Sequence, residues 1–143
     1  YLTGNLLTGQ VPSWTQKADN LNLFSSSSTR NDSGMASCLT SFVCPKTSWY
    51  ALHINCGGRP ITVNGSAYDD DSEAGGPARF HQSGIKNWAF STTGNFMDND
   101  SGDYYTWSNK STLSLANPEL FTDARVSPTS LTYYGFCMGN GNY

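Results

Sequence analysis

The sequence predicts a mainly β fold, a sandwich of short strands preceded by the end of a repeat solenoid. From residue 49 onward, short runs rich in aromatic and β-branched residues recur with Gly, Asn, Asp and Pro between them, the pattern of strands joined by turns. One of these runs alternates apolar and polar residues with period two, as a half-buried strand does. The first dozen residues, by contrast, place leucines at the spacing of a stacked repeat.

Leu2, Asn5, Leu7, Gly9, Val11 and Pro12 fall at the positions of a leucine-rich repeat. In such a repeat the leucines point into the solenoid and the asparagine side chain bonds backbone groups of the turn. One repeat cannot bury its own face, so residues 1–24 are expected to be the end of a longer stack, with Asn20–Phe24 as the strand of one further, degenerate repeat. Residues 25–48 form a Ser-rich linker and a cysteine-containing cap. The run from Ser25 to Gly34 has almost no apolar content and is expected to be mobile. Cys38 and Cys44 bracket Leu39–Val43, where a short closed loop could seal a solenoid end.

From Trp49 the character changes. Tyr50, Leu52 and Ile54 alternate with Ala51, His53 and Asn55, and Cys56-Gly57-Gly58 supplies a turn. Ile61-Thr-Val63 leads into Asn64-Gly65, a pair that readily takes the positive φ angles of a type I′ hairpin. These two strands are expected to pair or to neighbour each other. Trp88–Phe90, Tyr104–Trp107 and Leu131–Phe136 read as further strands, and only residues 117–125 could start a brief helix.

Charged residues make up 13% of the chain, about half the usual share, so the surface must rely on Ser, Thr, Asn and Tyr. A net charge of -3 argues against nucleic acid as a partner. No stretch reaches the length of a membrane span, and Tyr1 does not open a signal peptide; the anchor of any membrane parent is expected outside this segment. The four cysteines, Cys38, Cys44, Cys56 and Cys137, lack zinc-ligand spacing. Disulfides in an oxidising compartment fit them better, with three connectivities open and buried free thiols as the alternative. Asn31, Asn64, Asn99 and Asn109 each begin an Asn-x-Ser triplet that permits N-glycosylation.

Catalytic chemistry finds no support. Asp69-Asp-Asp-Ser-Glu73 reads as a solvated acidic loop. Asp98–Asp103 begins like a calcium loop, but its glycine is one place early and Asn109 stands where the bidentate Glu belongs. His53 and His81 accompany no nucleophile motif, and His53 reads as a strand residue. No metal and no cofactor is expected.

The strings Leu52-His-Ile-Asn-Cys-Gly-Gly58, Trp88–Phe96 and Leu131–Tyr143 resemble the malectin domain of plant leucine-rich repeat receptor-like serine/threonine kinases. The resemblance covers residues 49–143, and the order of repeat, linker and malectin domain is that family's extracellular arrangement. It implies a partial malectin-type β-sandwich, since the family's domain continues with further strands after Asn140-Gly-Asn-Tyr143. It also implies pairing of Cys56 with Cys137, leaving Cys38 to pair with Cys44. The implied role is to sense an extracellular cue at the outer face of the plasma membrane, with a kinase on a missing cytoplasmic part. Candidate partners are an oligosaccharide or cell-wall glycan, a protein co-receptor or a peptide. A freestanding secreted malectin-type lectin is the alternative. Animal malectin holds glucose-containing oligosaccharides through aromatic side chains, and the nearest equivalents by position are Tyr68, Tyr104, Tyr133 and Tyr134.

Overall fold

A computed structural model describes residues 13–14, 44, 48–85, 87–97, 105–111 and 114–140. The repeat at 2–12, the linker, Cys38, Tyr104, Asn31, Asn99 and the calcium-like stretch lie outside the described residues. Eight strands are described: β1 (Ile54–Asn55), β2 (Ile61–Val63), β3 (Ser66–Asp70), β4 (Phe80–Gln82), β5 (Trp88–Thr93), β6 (Thr106–Ser108), β7 (Asp123–Arg125) and β8 (Ser130–Gly135). They form a three-stranded sheet β1-β3-β2, a second of order β4-β5-β8 and a two-stranded ribbon β6-β7. The mainly β expectation is met. Among the described residues no helix is long and apolar enough to cross a membrane.

The hairpin expected at Asn64-Gly65 is present. Both residues have positive φ, 50° and 81°, and Val63 faces Ser66 across the turn. The pairing of the first two strands differs from expectation, because β3 lies between them. β1 runs parallel to β3 with Ile54 opposite Asp69, and β2 runs antiparallel to it with Ile61 opposite Tyr68. The strand returning from the hairpin is the one that closes a short antiparallel ladder at least entropic cost. Residues 117–125 make one 3-10 turn, Pro118–Phe121, entered from Asn117 at φ 57° without a side-chain cap. None of its residues is buried, and without an apolar face to bury, a single turn does not propagate.

β5 is the centre of the molecule, with all six residues buried. Trp88, Phe90 and Thr92 share one face, where Phe90 stands opposite both His81 of β4 and Tyr133 of β8. The other face carries the smaller Ala89, Ser91 and Thr93, with Tyr134 opposite Ala89. Burial on both faces is what lets this run omit the apolar/polar alternation of a half-exposed strand.

The cysteine pairing is a correction. Cys44 is bonded to Cys137, with Cα atoms 5.5 Å apart, so neither Cys56–Cys137 nor Cys38–Cys44 forms, and Cys56 is an exposed free thiol. Strand pairing explains it. β8, which leads to Cys137, pairs with β5 and not with β1, so no ladder sets Cys56 beside Cys137. The segment before β1 does run beside the end of β8. Trp49 bridges Met138 in parallel, its N–H donating to Cys137 O at 2.9 Å while its carbonyl accepts from Gly139 N at 2.7 Å.

Candidate functional site

The acidic run at residues 69–73 organises the site, and it is not a solvated loop. Two of its residues, Asp69 and Asp70, end β3, and Asp71 follows directly after the strand. Asp69 Oδ2 accepts from the indole N–H of Trp88 at 3.1 Å. Asp71 is 1% exposed. Its Oδ2 accepts from Arg125 Nε at 2.8 Å, Gly57 N at 2.8 Å and the Tyr133 hydroxyl at 2.6 Å. Arg125, equally buried, also donates through Nη2 to the carbonyls of Asp71 and Glu73 and lies 4.0 Å over the Phe90 ring. A carboxylate this deep is tolerable only with a cation and several donors around it.

The remaining carboxylates diverge. Asp70 Oδ1 accepts from Ser72 N at 2.9 Å, and the Ser72 side chain and backbone together hold its pKa below the usual value. Glu73 pairs with Arg79 and accepts from Gly75 N at 2.7 Å. Because each acid has its own partner, they do not converge as ligands, and among the described residues no group of three His, Cys, Asp or Glu is placed to hold a metal ion.

Beside β3 these side chains border a groove of about 550 Å³, lined by Pro60, Asp69, Asp70, Ser72, Glu73, His81, Ser83, Gly84, Ile85 and the buried Trp88. Ile85 and Pro60 are exposed and give it apolar surface. His81, half-buried with its ring 5.4 Å from Phe90, has its pKa lowered chiefly by burial, which outweighs the opposing pull of Glu73. Its imidazole is therefore neutral near pH 7, able both to donate and to accept. The groove thus combines hydroxyl-seeking acceptors, a neutral imidazole and apolar walls.

Of the tyrosines singled out in the sequence, the three that are described, Tyr68, Tyr133 and Tyr134, do not line it. Tyr133 sits inside the fold, its ring 5.9 Å from Trp88 and 6.2 Å from Phe90, and burial followed by the Asp71 carboxylate raises its pKa far above the ordinary phenol range. Tyr134 alternates to the opposite face of β8. Tyr68 lies on β3 with its ring 5.2 Å from His53, two residues from Asp70 and so on the same face of the strand. His53 itself precedes β1, its carbonyl accepting from Asp69 N at 2.8 Å. Asp69, Asp70, His81, Ser83 and Ile85 were missed as site residues. The hairpin register gave no signal for them, since it sets Asp69 on the face of Thr62 and Ala67, both of which are exposed.

The string around Cys56 also resolves into architecture. Asn55 is buried, its Nδ2 donating to Arg59 O at 2.8 Å, and Gly57, at φ +77°, passes so close to β7 that an added Cβ would lie 2.3 Å from the Ala124 carbonyl carbon. This turn brings an N–H to Asp71 and joins the first sheet to the β6-β7 ribbon. The malectin domain family matches residues 50–143. The chain belongs to the malectin domain family. Over its whole length it is 39% identical to a probable leucine-rich repeat receptor-like serine/threonine-protein kinase of Arabidopsis thaliana, covering 16% of that protein. A second Arabidopsis thaliana protein of similar name is 50% identical over 66% of the chain and 10% of its own length, and a third is 37% identical over the whole chain and 16% of its own length. The malectin chain thus spans about a sixth or less of these relatives. No solved structure matches it.

Proposed function

We propose that the chain is the extracellular sensing portion of a receptor-like serine/threonine kinase held at the plasma membrane, and that the groove beside β3 takes an oligosaccharide. The receptor reading is supported by similarity over the full chain to proteins named as such kinases. Phosphate transfer would belong to another part of the parent. The observation that carries the ligand class is the lining of the groove: Asp69 and Asp70 as acceptors, the neutral His81 as a two-way partner, and Ile85 and Pro60 as apolar surface. Sugars present hydroxyls at the edge of the ring and C–H bonds on its faces, and this mixture suits both. Tyr68, on the face of β3 that carries Asp70, extends the proposed surface.

Calorimetric titration with glucose-containing oligosaccharides and cell-wall glycans tests the reading. Binding is expected at micromolar to millimolar dissociation constants, as suits a shallow, wet site, with Asp70→Asn and His81→Ala weakening it about tenfold at unchanged melting temperature. Absence of binding across the sugar panel overturns the carbohydrate reading. Binding of a peptide or co-receptor ectodomain in its place would keep the sensing role and replace the ligand class.

A further inference from the structure

We propose that Asn109 carries an N-linked glycan whose first sugar packs on the indole of Trp107. The inference rests on the reading above in one respect, that the chain passes through the secretory compartment. Asn109-Lys110-Ser111 is an acceptor triplet, and its three residues are exposed. The β6-β7 register sets Trp107 opposite Ala124 and Ser108 opposite Asp123. It continues one step past the strand, where Asn109 N donates to Thr122 O at 2.6 Å. Residues two apart on an extended strand share a face at a spacing of about 6.5–7 Å, so Trp107 and Asn109 lie side by side on the outer face. The cross-strand neighbour of Trp107 is the small, exposed Ala124, and the indole is 60% exposed. A large aromatic ring held in solvent, one strand-step from an attachable asparagine, is a platform of the right size for one sugar ring, whose apolar face packs on a π-surface.

The side chain is also turned suitably. Asn109 Oδ1 accepts from Ser111 N at 2.9 Å, which fixes the amide while Nδ2, the atom to be modified, has no hydrogen bond among the described residues. In the transfer, Nδ2 forms a bond to the anomeric carbon of a lipid-pyrophosphate-linked oligosaccharide. The bond from that carbon to the pyrophosphate oxygen breaks, the lipid pyrophosphate leaves with the electron pair, and Nδ2 gives up one proton to the transferase. The other described triplet lacks these features: Asn64 Nδ2 donates to Asn117 Oδ1 at 3.1 Å, and two residues before it stands Thr62 instead of an aromatic. A sugar tethered at Asn109 meets its platform without the cost of bimolecular association, which is why a ring contact too weak to hold a free monosaccharide suffices here.

The test is expression of the whole 143-residue chain behind a secretion signal in insect cells, followed by peptide mass mapping. Asn109 should be occupied, and Asn109→Gln and Ser111→Ala should each remove that glycan. N-bromosuccinimide should oxidise Trp107 at least about fivefold more slowly in the glycosylated chain than in Asn109→Gln. Trp107→Ala should lower the melting temperature of the glycosylated chain by about 4 °C and leave that of Asn109→Gln unchanged. Occupancy is read on peptides, so it does not depend on any variant folding. Because the added signal forces entry into the secretory compartment, an empty Asn109 overturns the site and leaves the receptor reading standing. A glycan at Asn109 with Trp107 equally reactive in both forms overturns the packing.

Discussion

At the scale of single residues, the buried carboxylate of Asp71 decides more than any exposed group. It gathers one cation, one phenol and one backbone N–H on a single oxygen, so its partners are unequal in what their loss would do. Asp71→Ala strands the Arg125 guanidinium in the core and is expected to cost about 3–5 kcal/mol, read as a lower urea midpoint. Tyr133→Phe removes one donor and leaves two, so a loss near the low end for charged hydrogen bonds, about 1.5 kcal/mol, is expected. Unchanged stability in Tyr133→Phe together with lost sugar binding would move this residue from the fold to the ligand surface. Nothing local in the sequence marks Asp71 as different from Asp69 or Asp70. Its distinguishing partner is 54 positions away, and charge patterning reads only neighbours.

Among elements, legibility followed how local the cause was. The hairpin at Asn64-Gly65 was readable because positive φ is a property of those two residues. β5 and β8 were readable because their aromatic content suits a pleated, buried surface. β3 was not, since Ser66-Ala-Tyr-Asp-Asp70 has poor strand propensity and is held by partners on both edges. The groove was hidden for the same reason, as its acids sit on that unread strand while His81 and Ile85 come from β4 and the turn after it. The turn after β1 offers a sharp test. Gly57→Ala combines a left-handed backbone with a Cβ set 2.3 Å from β7, and these effects together are expected to cost about 2–5 kcal/mol. Faster hydrogen exchange at residue 57 and along β7 is the expected signature, whereas native-like protection would show that β7 can shift away without loss.

For the whole molecule, the disulfide is the longest-range constraint described, joining positions 93 residues apart. Closing so long a loop restricts the unfolded chain by about 4–5 kcal/mol in the chain-entropy account. The double replacement Cys44→Ser with Cys137→Ser should therefore melt well below the oxidised parent, and non-reducing peptide mapping should recover Cys44 joined to Cys137. A Cys56–Cys137 peptide would contradict the pairing described above. The same bond has a mechanical meaning. Tension applied between residues upstream of Cys44 and residues downstream of Cys137 runs through the sulfur–sulfur link and bypasses everything between them. The ladders of β1 to β8 would carry none of that load, so the sheets could keep their shape under a pull that stretches the chain on either side.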